Sequence, residues 1–252
     1  MRTAVISGGN GGLGRALAER LEAAGWHCVL MDKDIKGLEA SESRTPVVVD
    51  LTDKAALDQA VAKVITARPS IDLVVYNAGV SLIGPFAAQD AASHRRLFEI
   101  NYFAAVAMAQ GFLAAVRKSR GTHLAISSVA GFAPLHNRTA YAASKHAMQG
   151  FFSSLRSEEL PHGVRCLIAA PSFVATNIGN AAPAPDGTVR PGSAVDGIDY
   201  MSAQDAAAII LRGLEKEQAF TPVGRVARMA AWLMRASPAL YERAMRRKTG
   251  GG

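Results

Sequence analysis

Three side chains in the middle of the chain are suited to moving a proton: Tyr141 and Lys145 in "TAYAASK", and Ser128 in the preceding "ISSVAG". On a helix the i, i+4 spacing sets Tyr141 and Lys145 one turn apart on the same face. A free phenol, with a pKa of about 10, is a poor base near neutrality. A nearby ammonium stabilises phenolate and makes tyrosine a usable acid or base. Taken singly these signals are weak, because such a Tyr and Lys are more often a solvated helix face and a strand-end Ser is more often a turn residue. Their weight depends on where the elements around them place them.

Short apolar runs at 3–7, 27–32, 46–50, 71–77, 122–128, 164–171 and 219–223 read as strands. Most are apolar throughout, the pattern of parallel strands covered on both faces. Segments of helical period lie between them, at 12–24, 53–67, 88–118, 138–160 and 202–216. The first repeats Leu13, Leu17 and Leu21 and stops at Gly25, a suitable C-terminal cap. Strand and helix alternating to the end predict an α/β fold, one Rossmann-type doubly wound parallel sheet of about seven strands with helices on both faces. No repeat or low-complexity linker divides the chain, so residues 1–252 are read as a single dinucleotide-binding and catalytic domain. In such a sheet Ser128, at a strand's carboxyl end, opens on the ligand crevice.

The first strand runs into "SGGNGGLG", residues 7–14, and a helix leaves it. Counted from Gly9 this is G-x-G-x-x-G; counted from Ser7 and Gly8 it is S-G-x-x-x-G-x-G. Either spacing puts backbone N–H groups at a helix start where they can face a pyrophosphate. The second strand ends in "VLMDKD". Asp32 there can accept hydrogen bonds from the adenosine ribose hydroxyls and repels a 2′-phosphate, which favours NAD. Lys33 pulls the other way, toward NADP, while Gly11 offers no second cation. Asn10 and Gly11 are read as phosphate-facing or ribose-facing. With a nicotinamide ring in place, its positive charge adds to that of Lys145 in favouring the phenolate of Tyr141.

Together these residues make the chain resemble a short-chain dehydrogenase/reductase of the ordinary single-domain type, over nearly its whole length. The family's T-G-x-x-x-G-x-G loop is matched by Ser7, Gly8, Gly12 and Gly14, with Ser keeping the hydroxyl of Thr and Leu13 between the last two glycines. Its Asp-Leu pair beside the adenine is matched by Asp50 and Leu51, and its N-A-G turn by Asn77, Ala78 and Gly79. Its helix Asn appears as Asn101, its Ser as Ser128, and its Y-x-x-x-K as Tyr141 and Lys145. The P-G-x-V-x-T segment departs: it reads "PSFVAT", with Ser172 where Gly is usual and Pro171, Val174 and Thr176 kept. The resemblance selects the register beginning at Ser7 and Gly8.

The resemblance implies hydride transfer between nicotinamide and an alcohol or ketone. Ser128 would hold and polarise the substrate oxygen while Tyr141 exchanges its proton. Lys145 would lower the Tyr141 pKa and bind the nicotinamide ribose, and Asn101 would hold a water linking Lys145 to solvent. Pro171, Val174 and Thr176 would lie near the carboxamide and the phosphates. The expected cofactor is NAD, with NADP the alternative, and no metal ligands are assigned. A homodimer or homotetramer is implied by the family, through the long Ala-rich helices at 88–118 and 138–160. A catalytically silent nicotinamide-binding protein is the rival of another class, and the loss of Tyr or Lys that would mark it is absent.

Candidate pocket residues are Val80, Leu82, Leu135, His136, Phe173 and Ile178, mostly apolar, which points to a lipophilic alcohol or ketone. Residues 177–201, rich in Gly, Pro and Ala and without period, are read as a substrate lid. Cys28 and Cys166 each sit in an apolar run and are expected as buried thiols. No apolar stretch approaches the ~18 to 20 uncharged residues that cross a bilayer, and "MRTAVISGG" lacks a signal peptide's layout, so a soluble cytoplasmic protein is expected. The formal net charge is +7, and residues 225–252 hold seven basic side chains against Glu242 alone, leaving +1 for the rest. The tail at 224–248 reads as two short helices, the second opened by Ser237 and Pro238. Its apolar stripe is Val226, Met229, Ala230, Leu233 and Met234. Packing over the pocket or a neighbouring subunit is the first reading and a membrane-surface segment the second; no nucleic-acid recognition module is present.

Overall fold

In a computed structural model that describes residues 1–176, 188–189 and 200–248, seven parallel strands form one sheet. The chain runs β1 (Thr3–Ser7), α1 (Gly12–Ala23), β2 (His27–Asp32), β3 (Arg44–Val48), α2 (Lys54–Ala67), β4 (Leu73–Tyr76), α3 (Ala91–Phe98) and α4 (Ala104–Ser119). It continues through β5 (Thr122–Ile126), α5 (Thr139–Glu159), β6 (Arg165–Pro171), β7 (Val174–Ala175), β8 (Met201–Ser202), α6 (Ala203–Glu215), β9 (Phe220–Val223), α7 (Arg225–Ala236) and α8 (Pro238–Lys248). The sheet order is β3-β2-β1-β4-β5-β6-β9, so the strand order reverses between β1 and β4. A crevice opens at such a reversal, outside the carboxyl ends of the strands.

The apolar strands are buried on both faces because alternate residues feed two separate cores. Ala4, Ile6, Leu73, Val75, Leu124 and Leu167 pack with Leu17 and Leu21 of α1 and Ile210 of α6. Val5, Val74, Tyr76, Ala125 and Ile168 pack on the other side with Val61 of α2, Phe112 of α4 and Phe152 of α5. This period of two is invisible as a polarity pattern when both faces are covered. Cys28 and Cys166 are free and buried, and burial pushes both thiols up to about 12.

Several expected boundaries move. The third strand lies at Arg44–Val48 rather than 46–50; as an edge strand it tolerates Pro46, which has no N–H to donate. The helix expected at 88–118 is broken into α3 and α4 by a π-helical turn, Glu99–Phe103, in which the Ala104 N–H reaches back to the Glu99 carbonyl. The continuous helical run Ala91–Ser119 is long and apolar enough by composition to cross a bilayer, which corrects the expectation that no segment is. Its Leu97, Met108, Phe112 and Val116 are nevertheless fully buried against the rest of the fold. Helix α1 ends as expected, with Gly25 at a φ of 77°.

Candidate active site

The glycine loop is stitched to the turn after β4 by one hydroxyl. Ser7 Oγ accepts from the backbone N–H groups of Asn77 at 3.0 Å and Ala78 at 3.1 Å, and donates to the Val75 carbonyl at 3.3 Å. Asn77 Nδ2 answers by donating to the Ser7 and Gly8 carbonyls at 3.1 and 3.0 Å. Ser in place of the family's Thr keeps this work, and Asn77 and Ala78 frame the loop.

Steric room distinguishes the two glycine registers. Gly8 has a φ of 61°, and a Cβ on it would lie 2.9 Å from Ala78 Cα. A Cβ on Gly12 would lie 2.6 Å from the Thr176 carbonyl oxygen, and one on Gly14 would collide with the Gly8 carbonyl oxygen. Gly11, which only the other register requires, would meet nothing closer than the Gly8 oxygen at 3.3 Å. Gly9 is pinned as well, by Leu30 of β2 at 2.6 Å, so its presence is a packing requirement and not merely glycine density. Thr176, which the resemblance placed near the phosphates, is therefore in contact range of the loop that would hold them.

At the other end of the crevice Asp32 caps β2. Its carboxylate accepts from the Asn10 N–H at 3.0 Å and the Asp34 N–H at 3.3 Å. Asn10 Nδ2 donates to the Asp34 carbonyl at 2.8 Å, while its Oδ1 is buried with no hydrogen-bond partner. Arg15, which the sequence reading passed over, ties the same corner together from α1, donating to the carbonyls of Asn10, Lys36 and Gly37. Asp50 accepts from the N–H and hydroxyl of Thr52, and these bonds, with smaller help from the Lys33 and Arg96 charges, hold its carboxyl below the usual range. A crevice with glycines at its floor, a buried orphan acceptor in Asn10 and an acidic strand end fits a dinucleotide.

The proton-transfer residues converge at the carboxyl ends of β4 and β5. Ser128 follows β5 in extended conformation, and its Oγ accepts from the Ala130 N–H at 3.2 Å. Tyr141 and Lys145 occupy the first turns of α5 and are both buried. Burial pushes the Tyr141 phenol up; the Ser128 hydroxyl beside it and the Arg138 charge pull it partly back. Arg138, just before α5 and itself buried, is a neighbour the sequence reading missed. Lys145 Nζ donates to the Ile126 carbonyl at 2.9 Å and lies 5.9 Å from the centre of the Tyr141 ring. Burial brings its ammonium down to about 8.

Asn101 sits inside the π-helical turn and is fully buried. Its Oδ1 accepts from the Val80 N–H at 2.8 Å, and its Nδ2 donates to the Val80 carbonyl at 2.9 Å and to Ser144 Oγ at 2.9 Å. Both amide hydrogens are thereby committed, so the side chain clasps the Val80 backbone rather than offering a free donor to a water. A Cβ on Gly79 would lie 3.2 Å from Asn101 Oδ1 and 3.4 Å from Lys145 Nζ, so the absence of a side chain there leaves the two facing one small gap.

Val80, Leu82 and Leu135 pack with Tyr141 in one cluster, as a pocket wall requires. His136 is exposed, next to Asn137, which has a φ of 57°. Phe173 meets Tyr200 in a tilted ring contact at 5.4 Å, and Val174 is buried where β7 pairs with β8. Ser172 needs no positive φ; its N–H and hydroxyl both reach the Val223 carbonyl, and Pro171 ends β6. Ile178 lies outside the described residues, as does most of the expected lid at 177–201. Two of its described residues, Thr188 and Val189, are placed: Val189 pairs with Ser81 through two 2.8 Å backbone hydrogen bonds, beside Val80 and Leu82.

A sequence profile described as "short chain dehydrogenase" matches residues 2–186. The dehydrogenase/reductase SDR family member 7B of Xenopus laevis is 30% identical over 253 residues, which cover 94% of this chain and 78% of that protein. Among solved structures, a short chain dehydrogenase from Burkholderia cenocepacia in complex with NADP superposes with a TM-score of 0.82 at 23% identity, covering 97% of this chain and 99% of that one. A short chain dehydrogenase/reductase from Burkholderia phymatum in complex with NAD gives 0.75 at 22% identity, over 87% and 88%. At these identities the two structures speak for the fold.

Proposed function

The chain belongs to the short-chain dehydrogenase family, and on that premise we propose that it interconverts a lipophilic alcohol and its ketone using NAD(H). The observation that carries this reading is the convergence of Ser128, Tyr141 and Lys145 near the turn after β4, whose Asn77 is hydrogen-bonded to the glycine loop.

When bound, the nicotinamide supplies or accepts the hydride. Ser128 donates its hydroxyl hydrogen to the substrate oxygen and holds that oxygen against Tyr141. The Tyr141 phenol gives its proton to the oxygen in reduction and takes one from it in oxidation. Because burial alone holds the phenol protonated, the site needs positive charge; Arg138 supplies some within the protein. Lys145 gives one N–H to the Ile126 carbonyl at 2.9 Å and a second to Met148 Sδ at 4.0 Å, a weak acceptor that a ribose hydroxyl can replace. With an ammonium near 8, it is poised to pass a proton onward at working pH. Asn101 is a positioning residue: it fixes Val80, whose side chain packs beside Tyr141.

Asp32 favours NAD; the exposed Lys33 next to it supports NADPH as the second reading. Phe103, half exposed on the turn into α4, supports assembly through the long helices. A panel of lipophilic alcohols and ketones assayed with both cofactors tests the proposal. Turnover of a lipophilic pair with NAD(H) is expected, and activity confined to small hydrophilic alcohols contradicts the substrate class.

A further inference from the structure

The C-terminal helices present an outer face that the fold does not use. Along α7 the residues Arg225, Arg228, Met229, Trp232 and Arg235 recur at three- and four-residue spacing and are all exposed, Trp232 by 69% and Met229 by 56%. Leu240 and Arg243 continue the exposed surface on α8. The inward side is built instead from Ala227 and Ala230, so the stripe expected through Met229 is rotated and that methionine points to solvent.

The inner side grips the segment between Ser128 and Tyr141. Ala227, Ala230 and Tyr241 pack with Val129 and Ala133, joined by the partly buried Phe132 and Leu135, and the Tyr241 hydroxyl donates to the Pro134 carbonyl at 3.2 Å. The outer face of α7 therefore lies directly behind the chain that carries the substrate side of the site.

Charge and apolarity together decide what covers this face. None of the three α7 arginines pairs with a carboxylate among the described residues, and residues 225–252 carry six of the chain's seven net positive charges. A second copy docking by two-fold symmetry would set the arginines of α7 against arginines, with Glu242 of α8 the one acid on this face to offset them. A nucleic acid would take up the charge and leave Met229 and Leu240 in water. A bilayer with anionic headgroups satisfies both, since arginines meet the headgroups while Trp, Met and Leu enter the interface. We propose that α7 and α8 dock this protein on an anionic lipid surface, with Trp232 and Met229 inserted between the flanking arginines. This holds whether or not the reaction proposed above is correct.

The test uses the full chain with vesicles of neutral phosphatidylcholine, and of phosphatidylcholine containing phosphatidylserine. Of the two tryptophans, Trp26 is buried with the Arg2 guanidinium 4.2 Å above its ring, so a shift in emission reports Trp232. Expected are co-sedimentation with the anionic vesicles only, a blue shift, and release by salt. The triple variant Arg225→Ser/Arg228→Ser/Arg235→Ser should lose roughly a hundredfold in partitioning, at about fivefold per charge. Trp232→Phe should keep binding and lose the shift. All these positions are exposed, so folding is retained and checked by circular dichroism. Equal binding to both vesicles, no binding, or an unaffected triple variant overturns the proposal. So does tighter binding to a single-stranded oligonucleotide, or a dimer in lipid-free solution that the triple variant abolishes.

Discussion

Asn101 holds the backbone of Val80 at two points, accepting from its N–H at 2.8 Å and donating to its carbonyl at 2.9 Å. The clasp is possible because the π-helical turn rotates the amide out of the register of α3 and toward the chain after β4. Asn101→Leu leaves both Val80 groups and Ser144 without these partners. Ser144 keeps its bond to the Tyr141 carbonyl, so at about 1–3 kcal/mol for each of the two Val80 groups a loss of roughly 2–6 kcal/mol in chemical denaturation is expected. Turnover should fall with it, because Val80 packs beside Tyr141. A variant as stable and active as the wild type contradicts the positioning role.

Gly11→Ala and Gly12→Ala separate the two readings of the loop. Gly11 has an ordinary φ of −71°, and a methyl group there would meet only the Gly8 carbonyl oxygen at 3.3 Å, which a shift of a few tenths of an ångström relieves, so NADH affinity should stay within about threefold of wild type. A methyl on Gly12 would press on the Thr176 carbonyl oxygen, and affinity should fall by about tenfold or more, the cost of a shifted backbone. Fluorescence titration of NADH reads both, and the reverse order would mean that the other register binds the phosphates.

Cofactor choice turns on Asp32. Its carboxylate is already oriented by the Asn10 and Asp34 N–H groups, leaving its remaining lone pairs for ribose hydroxyls. Wild type should bind NADH more tightly than NADPH, and Asp32→Ala should narrow or invert the ratio, about tenfold from one lost charged hydrogen-bond partner. Tighter NADPH binding by wild type would establish Lys33 as the deciding residue.

Tyr76 and His123 form a fully buried pair in the second core, Oη to Nδ1 at 2.6 Å, far from the exposed surface. Burial brings the His123 imidazole down to about 4 from 6.5. Below 6.5 the unfolded chain takes up a proton that the folded chain refuses, so stability is full above about 6.5 and falls as pH drops toward 4. The loss reaches roughly 3 kcal/mol. Melting temperatures of wild type and His123→Gln, followed from pH 7.5 to 4.5, should converge as the pH falls. A constant difference across that range would show that His123 is not held neutral.

The sheet and its order of elements were legible because seven short apolar runs separated by helical periods leave few alternatives. The glycine loop, Asp32, Ser128, Tyr141 and Lys145 could also be located, since each lies at a strand or helix end where spacing along the chain translates into position. What escaped depends on contacts distant in sequence. Nothing in "FEINYF" announces a π-helical turn, within which Asn101 meets Val80 across the fold. Arg138 and Arg15 look like ordinary surface cations until burial and backbone carbonyls are seen around them. Met229 was misplaced because the choice of Ala227 and Ala230 as the packing side is settled by neighbours, not by local pattern.

Substitution of the single phenol is the most direct measurement. Tyr141→Phe removes the exchangeable proton while keeping the ring that packs with Val80 and Leu135. Turnover on any substrate found should drop by about a thousandfold, within the span of general acid–base catalysis, with NADH affinity within about twofold of wild type. A Tyr141→Phe protein that turns over at the wild-type rate would contradict the assignment of this site.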